Sequence, residues 1–329
     1  MKDFKTILLM RDNQSDDGTI PSKGGSYASS PDIITHEQIA NPQAFLTETY
    51  YSDVNQPLRT GSMTNYIYAR AKNLDSIPHQ GFIRVYYCTS SLFMSPSKWK
   101  NNKVRTYDGA DYASTQKMDP GEVGVITDPF IFNAQVGQYY CHVGYVGTNK
   151  TAPVFPDDFT TYDQFVCWIK TNPHIALRNF SIEKTPESAQ ARFYELSNPS
   201  QTENRLGALL ITMEAGFPQG TVVEIDCAPM GIRRQRFTVT SENDISTFTT
   251  SGIIPAGFEG YVSSEVFMPA GKDYPAGKEV LVEAYVAYNK ESVAAKFAVN
   301  LAFRPNLRAY NSGRLLPIGA CSTIYIPEV

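Results

Sequence analysis

Four aspartates stand in the first loop of the chain, where their carboxylates could bind a cation. The loop, residues 11–33, reads RDNQSDDGTIPSKGGSYASSPDI. A calcium loop of the EF-hand type needs oxygen ligands at alternating positions, a glycine at the sixth position and a glutamate at its end. Asp12 and Asp16 fit the first and fifth positions, but Gly18 comes one position late and no glutamate follows. We therefore expect either a looser calcium site formed by Asp12, Asp16 and Asp17 or a pair of Asx turns.

Two basic clusters are the first candidates for a binding surface. Each follows a predicted strand that ends in a cysteine: SKWKNNKVR at 97–105 and GIRRQR at 231–236. Such a ridge could bind an anionic group or a glycan, with the indole of Trp99 stacking on the ligand. Lysine and arginine also protect the open edge of a β-sheet from pairing with another sheet. The sequence leaves both interpretations open. The candidate residues are Lys98, Trp99, Lys100, Lys103, Arg105, Arg233, Arg234 and Arg236.

No catalytic residue and no cofactor site is predicted. Cys141 and His142 are neighbours on a predicted strand, so their side chains point to opposite faces of the sheet and cannot form a hydrogen-bonded pair. The chain has no G-x-S-x-G motif. Its four histidines are scattered, and none stands at zinc-ligand spacing from another histidine or a cysteine pair.

The cysteine count limits disulfide formation. The five cysteines are an odd number, which leaves at least one thiol unpaired. Isolated cysteines in apolar strands are usually small buried hydrophobes. The alternative is a bridge between Cys88 and Cys141, since Tyr139-x-Cys141 has the tyrosine-corner spacing of immunoglobulin domains. The second copy of the repeat has Leu281 at the matching position, so this bridge would not belong to the repeated plan.

The elements that must position these residues repeat once along the chain. TNYIYARAKNLDSIPHQG at 64–81 matches ENRLGALLITMEAGFPQG at 203–220 without a gap, and each copy then enters a run that ends in a cysteine, Cys88 or Cys227. A second echo pairs GQYYCHVGYV from Gly137 with GKEVLVEAYV from Gly277. Self-similarity on this scale predicts two copies of one domain.

Short strands dominate both copies. Runs rich in Val, Ile, Tyr, Phe and Thr alternate with turn residues, and helical crossovers are missing. The pattern predicts an all-β fold of two tandem immunoglobulin-like antiparallel sandwiches. We predict strands near residues 5–11, 44–49, 64–71, 82–88, 122–126, 137–146 and 175–182, then near 191–197, 206–214, 221–227, 236–240, 279–288, 296–304 and 322–328.

One amphipathic helix is predicted near 158–171 in the first copy. Its apolar residues recur every three to four positions, Asp157 or Asp158 can cap its start, and Pro173 follows its end. The polar stretch EKTPESAQ at 183–190 is the best linker. We therefore place one domain at 1–185, with the N-terminal strand, the Asp-rich loop and this helix. The second domain is placed at 190–329.

The direction of one arginine is not decided by the pattern. In the second copy Val223, Ile225 and Cys227 should face inward. The repeat maps Val223 onto Arg84, which would put an arginine in the core. Either Arg84 is paired at the rim of the sheet, or the first copy carries a bulge.

Composition excludes several classes of protein. The 329 residues carry a net charge of −4, which gives no general attraction to nucleic acid or anionic membranes. No run approaches the roughly 20 apolar residues of a membrane span. The apolar stretch at 7–10 is too short for a signal peptide. We expect a protein that is cytoplasmic or exported without a cleaved leader.

Several segments of the first copy carry a likeness to known proteins. They are RDNQSDDGT and SSPDII in the opening loop, NYIYARAKN, FIRVYYC, SPSKWKNN, and CWIKTNPHIALRNFSI at 167–182. In these segments the chain resembles bacterial two-domain proteins built from immunoglobulin-like sandwiches, in particular the accessory proteins encoded beside motility-associated (Mak-type) α-pore-forming cytotoxins. The resemblance implies no catalytic residue.

The sequence thus favours a non-enzymatic interaction or accessory module with a protein partner. A sandwich that binds glycans or small ligands through exposed aromatic residues is the first alternative. A hydrolase with its site at the domain interface is the second, because sandwiches host many activities.

Overall fold

Most of the chain is built from short strands that form four sheets. The computed structural model describes residues 7–23, 27–61, 63–89, 92–135, 138–180, 182–184, 192–287 and 315–325. All strand pairs in these ranges are antiparallel except one, as expected for strands joined by short turns. The prediction of an all-β fold of sandwich type is confirmed.

Two sheets form the N-terminal half. In the first sheet, the central strand β3 (Asn65–Asn73) pairs with four strands: β1 (Leu8–Leu9), β2 (Ile33–His36), β7 (Val123–Val125) and β8 (Phe130–Phe132). The strand β8 also pairs with β5 (Arg105–Thr106). The second sheet has the order β10 (Ile175–Asn179), β9 (Tyr140–Gly147), β4 (His79–Thr89), β6 (Ala113–Met118).

Two further sheets form the C-terminal half. The five-stranded sheet has the order β11 (Ile182–Lys184), β19 (Leu315–Tyr325), β18 (Glu279–Ala287), β13 (Arg205–Met213), β16 (Ser246–Ile254). Its β11–β19 pair is the parallel one. The four-stranded sheet has the order β12 (Arg192–Ser197), β17 (Glu259–Phe267), β14 (Val222–Cys227), β15 (Ile232–Thr238), with a single 3₁₀ turn at Ala228–Met230 after β14.

Three helices lie in the described part of the chain, where one was predicted. They are α1 (Pro42–Glu48), α2 (Pro96–Trp99) and α3 (Tyr162–Thr171). The predicted strand at 44–49 is wrong, because Asn41 accepts a hydrogen bond from the Ala44 N–H and Pro42 occupies the first turn, which starts α1. The helix predicted near 158–171 begins later, since Thr161 rather than an aspartate caps it. Over the same described residues no helix has the length and apolar character needed to span a bilayer.

The internal repeat holds for two strands and fails for the third. β3 and β13 match, as do β4 and β14, and in each half the two strands belong to different sheets. The echo strands differ: β9 pairs with β4, whereas β18 pairs with β13. The two halves therefore share a strand–turn–strand unit but not one pairing pattern.

Of the two alternatives for Arg84, the structure shows the bulge. Tyr87 packs on Phe132 in the opposing sheet with ring centroids 5.1 Å apart, so Ile83, Val85 and Tyr87 share the inner face of β4. Arg84 lies on the other face and donates to the Lys150 carbonyl at 2.6 Å. A register shift between Gln80 and Phe82 marks a bulge, which changes the strand parity relative to the second half.

The two halves share one continuous hydrophobic core. Buried tyrosines cross the junction: the Tyr27 hydroxyl donates to the Pro317 carbonyl at 2.5 Å, and the Tyr162 hydroxyl donates to the Ser197 carbonyl at 2.5 Å. The strand β11, residues 182–184, also pairs with β19 of the C-terminal half. Most of the predicted linker at 183–190, the predicted strand at 296–304 and the end of the one at 322–328 lie outside the described residues. The domain limits stay a prediction.

Candidate functional site

The acidic loop does not bring all three candidate aspartates together. Asp12 and Asp16 are buried, whereas Asp17 is exposed and pairs with Lys23 at 2.5 Å. Asp16 and Asp17 accept hydrogen bonds from the backbone N–H groups of Gly18 and Thr19, as in the Asx turns that were the alternative expectation. Among the described residues no group of acidic, histidine or cysteine side chains could hold a metal ion. The structure therefore gives no support to the calcium site predicted at Asp12, Asp16 and Asp17.

Asp12 is instead neutralised by a lysine. Its Oδ2 lies 3.2 Å from the Nζ of Lys170 at the end of α3, and the two side chains are 2% and 1% exposed. Ser22 and Asn13 donate further hydrogen bonds to the carboxylate, each at 2.5 Å. Burial raises the pKa of Asp12 to about 6, although the nearby ammonium opposes that shift. This pair borders a small surface cleft that is also lined by Asp16 and Asn172.

Trp99 is not available for stacking on a ligand. Its side chain is buried, its Nε1–H donates to the Met94 carbonyl at 3.1 Å, and its ring packs on Phe155 and Trp168 at centroid distances of 4.7 and 6.4 Å. The proposed role of Trp99 in the binding ridge is wrong, because this indole fills the space between α2, α3 and the sheet.

The other cations of the first cluster are engaged with neighbouring groups. Lys98 forms an ion pair with Glu195 on β12, in the C-terminal half. Lys100 lies 3.6 Å from Asp157, and Lys103 lies 2.6 Å from Asp111. Arg105 donates to the Gly109 carbonyl at 2.8 Å. These contacts stabilise turns and the junction between the two halves, so the cations do not form a row that is available to a ligand.

The second cluster lies on an edge strand. Arg233, Arg234 and Arg236 are exposed on β15, which pairs only with β14 in its sheet. Arg236 lies 2.7 Å and Arg234 3.9 Å from the carboxylate of Glu224 on β14. Cations on an edge strand discourage pairing with another sheet, as the alternative reading expected.

Exposed aromatic side chains occupy the outer face of the same sheet. Phe193 on β12 and Tyr261 on β17 are 58% and 62% exposed, and their ring centroids lie 6.4 Å apart. Phe267 stands further along β17, with the Arg236 guanidinium 5.5 Å from its ring centroid. We call Phe193, Tyr261 and Phe267 the aromatic face.

The two basic clusters meet opposite edges of this sheet. Glu195, the partner of Lys98, stands directly across from Tyr261 in the β12–β17 pair. Arg236 stands across from Glu224 in the β14–β15 pair. Because three strand spacings separate β12 from β15, these edges lie about 14 Å apart. The aromatic face is thus bordered by a cation on either side.

Sequence analysis missed the aromatic face, although a signal for it existed. β12 reads RFYELS, in which Tyr194 and Leu196 are buried and Phe193, directly before Tyr194, belongs to the opposite face of the alternation. Had the inner face been assigned from Tyr194 and Leu196, Phe193 would have been placed outside. β17 was not predicted, so the contribution of Tyr261 could not be seen.

Buried cysteines and a buried histidine fill the N-terminal half. The five cysteines, all of which lie in the described residues, form no disulfide, and Cys88 and Cys141 stand directly opposite each other on β4 and β9 without a bridge. The His142 ring packs against Phe132 and Phe180 at a centroid distance of 4.8 Å from each, and neither of its nitrogens has a hydrogen-bond partner. Burial lowers the pKa of His142 to about 3. These groups serve packing.

Comparison with known proteins finds only distant structural likeness. No protein-family model and no curated protein matches the chain. The structure of the CupB6 tip adhesin from Pseudomonas aeruginosa shares 8% identity over 80% of this chain and 88% of the adhesin, with a TM-score of 0.22. The structure of a red sea bream transglutaminase shares 8% identity over 87% of this chain and 33% of that chain, with a TM-score of 0.20. Likenesses this weak support no conclusion about function.

Proposed function

We propose that the chain is a non-enzymatic interaction module that binds another protein on its aromatic face. One observation carries the proposal: Phe193 and Tyr261 contact each other while more than half of each side chain is exposed. Exposed apolar side chains that cluster mark interaction sites more often than scattered ones do. Phenylalanine and tyrosine are also enriched in the centres of protein interfaces.

The charges around the aromatic face describe the partner. β15 reads IRRQRFT and contains no acidic residue. Glu224 is shared by Arg234 and Arg236, and among the described residues no carboxylate lies within ion-pair distance of Arg233. The edge therefore keeps an excess of positive charge. A complementary partner offers apolar side chains to Phe193 and Tyr261 and carboxylates to β15.

Glycan binding is supported less well. A sugar ring stacks on a flat aromatic surface, but the rings of Phe193 and Tyr261 meet at 85°. Trp99, the side chain that would have stacked, is buried. An edge-to-face pair suits apolar side chains of a protein better than the flat face of a pyranose.

The resemblance to accessory proteins of Mak-type cytotoxin operons supports a choice of partner. We propose that the partner is a component of such a system, encoded beside this chain.

Binding to separately purified products of the neighbouring genes tests the proposal. The wild-type chain and the double variant Phe193→Ser/Tyr261→Ser are immobilised, and the dissociation constant of each gene product is measured. Tyr107→Ser is the matched control, because Tyr107 is 93% exposed but lies in the N-terminal half, away from the aromatic face. We expect at least tenfold weaker binding by the double variant, about 1.4 kcal/mol, and wild-type binding by Tyr107→Ser.

Three results would overturn the proposal. The first is equal binding by the wild type and the double variant, and the second is no binding of any neighbouring gene product. The third is self-association that light scattering detects in the wild type and that the double variant loses, because the face would then be covered by a second copy.

A further inference from the structure

The buried pair of Lys170 and Asp12 joins two distant parts of the chain. Asp12 lies in the first loop and Lys170 in the last turn of α3, and the Ser22 N–H donates to the Lys170 carbonyl at 2.8 Å. The Lys170 Nζ is 3.2 Å from Asp12 Oδ2, and both side chains are almost fully buried. An amine is thus held in contact with a carboxyl group at an almost fully buried site beside the cleft.

A second carboxyl group stands beside the first. The Oδ2 of Asp16 accepts a hydrogen bond from the Asp12 N–H at 3.2 Å, and Asp16 also lines the cleft that borders the pair. Ser22 and Asn13 donate hydrogen bonds to the two oxygens of Asp12. Donors on both oxygens withdraw charge from the carboxyl group and make its carbon more electrophilic.

The same loop contains an ordinary ion pair for comparison. Lys23 Nζ lies 2.5 Å from Asp17 Oδ2, but these side chains are 58% and 52% exposed. Water solvates both charges there, so the ammonium and the carboxylate are the stable forms. In the Lys170–Asp12 site both side chains are almost fully buried, and burial raises the pKa of the Asp12 carboxyl group to about 6.

We propose that Lys170 and Asp12 condense to an amide cross-link within the folded chain. The lone pair of the neutral Nζ attacks Cγ of the protonated Asp12 carboxyl group, the Nζ–Cγ bond forms, and the Cγ–OH bond breaks. Nζ loses two protons, one in forming the neutral amine and one in forming the amide. One water molecule leaves, and no oxidant or further reactant is needed.

Three physical effects drive this reaction. Holding amine and carboxyl in contact replaces a bimolecular encounter by an intramolecular one, with effective molarities of about 10⁵–10⁸ M in well-oriented cases. Asp16 can relay a proton from the attacking amine to the leaving hydroxyl as a general base and acid. Burial raises the pKa of Asp12 to about 6, which increases the protonated fraction of this acceptor near neutral pH. The adjoining cleft provides a path for the released water.

The mass of the full-length purified chain tests the proposal directly. We expect the denatured wild-type protein to be lighter than its sequence by one water molecule. A protease digest should yield a branched peptide that joins the segments around Asp12 and Lys170. Lys170→Met removes the nucleophile and should have its full sequence mass, and Asp16→Asn should retain most of the uncondensed form.

A control is required because an Asp-Gly sequence can also lose water by closing to a succinimide. Asp17-Gly18 stands in the same loop. Asp17→Ala, which cannot close to a succinimide, and Lys23→Met should both keep a deficit of one water molecule relative to the sequence mass of the variant, and the branched peptide should persist. A wild-type chain with its full sequence mass overturns the proposal, as does a mass deficit that survives Lys170→Met. The wild-type measurement does not depend on whether any variant folds.

Discussion

Arg70 donates its Nε–H to Oδ1 of Asp32 at 2.9 Å, and neither side chain has any exposed surface. Arg11 donates to the same oxygen at 2.6 Å. The Arg70 guanidinium also donates to the Leu46 and Pro31 carbonyls at 2.8 and 2.9 Å. One carboxylate and two guanidinium groups therefore hold the first loop, the end of α1 and β3 together.

Replacing Asp32 by asparagine should destabilise the protein strongly. Arg11 and Arg70 would keep their buried charges without a counter-ion, and breaking such a pair costs about 3–5 kcal/mol. Urea unfolding followed by circular dichroism measures the loss. Asp53→Asn is the control: Asp53 pairs with Arg178 at 2.9 Å but is itself 45% exposed, so the change should stay below about 1 kcal/mol. Equal losses in the two variants would show that the buried network is not special.

The stability of the protein should depend on pH through His142. Burial lowers the pKa of His142 in the folded chain to about 3. The imidazole is therefore protonated near pH 6.5 in the unfolded chain but only near pH 3 in the folded chain. The imidazole thus does not lower the free energy of unfolding above pH 6.5. Below pH 6.5 it lowers that free energy by about 1.4 kcal/mol per pH unit until the pH reaches about 3.

His142→Phe should remove this penalty. The difference in unfolding free energy between this variant and the wild type should be constant above pH 6.5 and grow in favour of the variant below it. Asp12, with its pKa raised to about 6, has the opposite effect on acidification, but it is common to both proteins and cancels in the difference. His36→Gln, at a partly exposed position, serves as the control. A difference independent of pH would contradict the burial of a neutral imidazole.

Loss of one hydroxyl at the junction should weaken the contact between the halves. Tyr162→Phe leaves the Ser197 carbonyl without its donor, which costs about 1–3 kcal/mol in a buried site. Thermal unfolding should show a lower midpoint. Tyr261→Phe removes a hydroxyl from an exposed ring and should leave the midpoint unchanged. Should both variants unfold alike, the junction hydrogen bond contributes nothing measurable.

The thiols should differ in reactivity. Cys167 is partly exposed and the other four cysteines are buried. Since thiol reagents need access to the sulfur, Cys167 should be labelled first in the native protein, and all five should be labelled after denaturation under non-reducing conditions. Peptide mapping of the labelled chain identifies the order. Failure of Cys88 and Cys141 to react after denaturation would reveal a bridge between them.

Local patterns predicted the strands that carry most of the core. β14 alternates apolar and polar residues, and β13 is an almost continuous apolar run, so both were located within a residue or two. The apolar pattern failed where a capping residue determines the secondary structure. The apolar residues at 44–49 fit a strand, but Asn41 and Pro42 start a helix there. Strands such as β16 and β17 were missed because threonine, serine and glycine interrupt their apolar pattern.

The sequence by itself determined the all-β class, the strand–turn–strand repeat and the lack of an obvious catalytic motif, because these depend on the period and type of neighbouring residues. Only the tertiary structure decided the fate of the polar residues. Asp12 forms an ion pair with Lys170, Asp32 forms one with Arg70, and Trp99 is buried under α3. All of these contacts join segments that lie far apart in the chain. Composition cannot distinguish a buried, paired charge from a solvated one. That distinction depends on which side chains from distant strands and helices arrive at the same place.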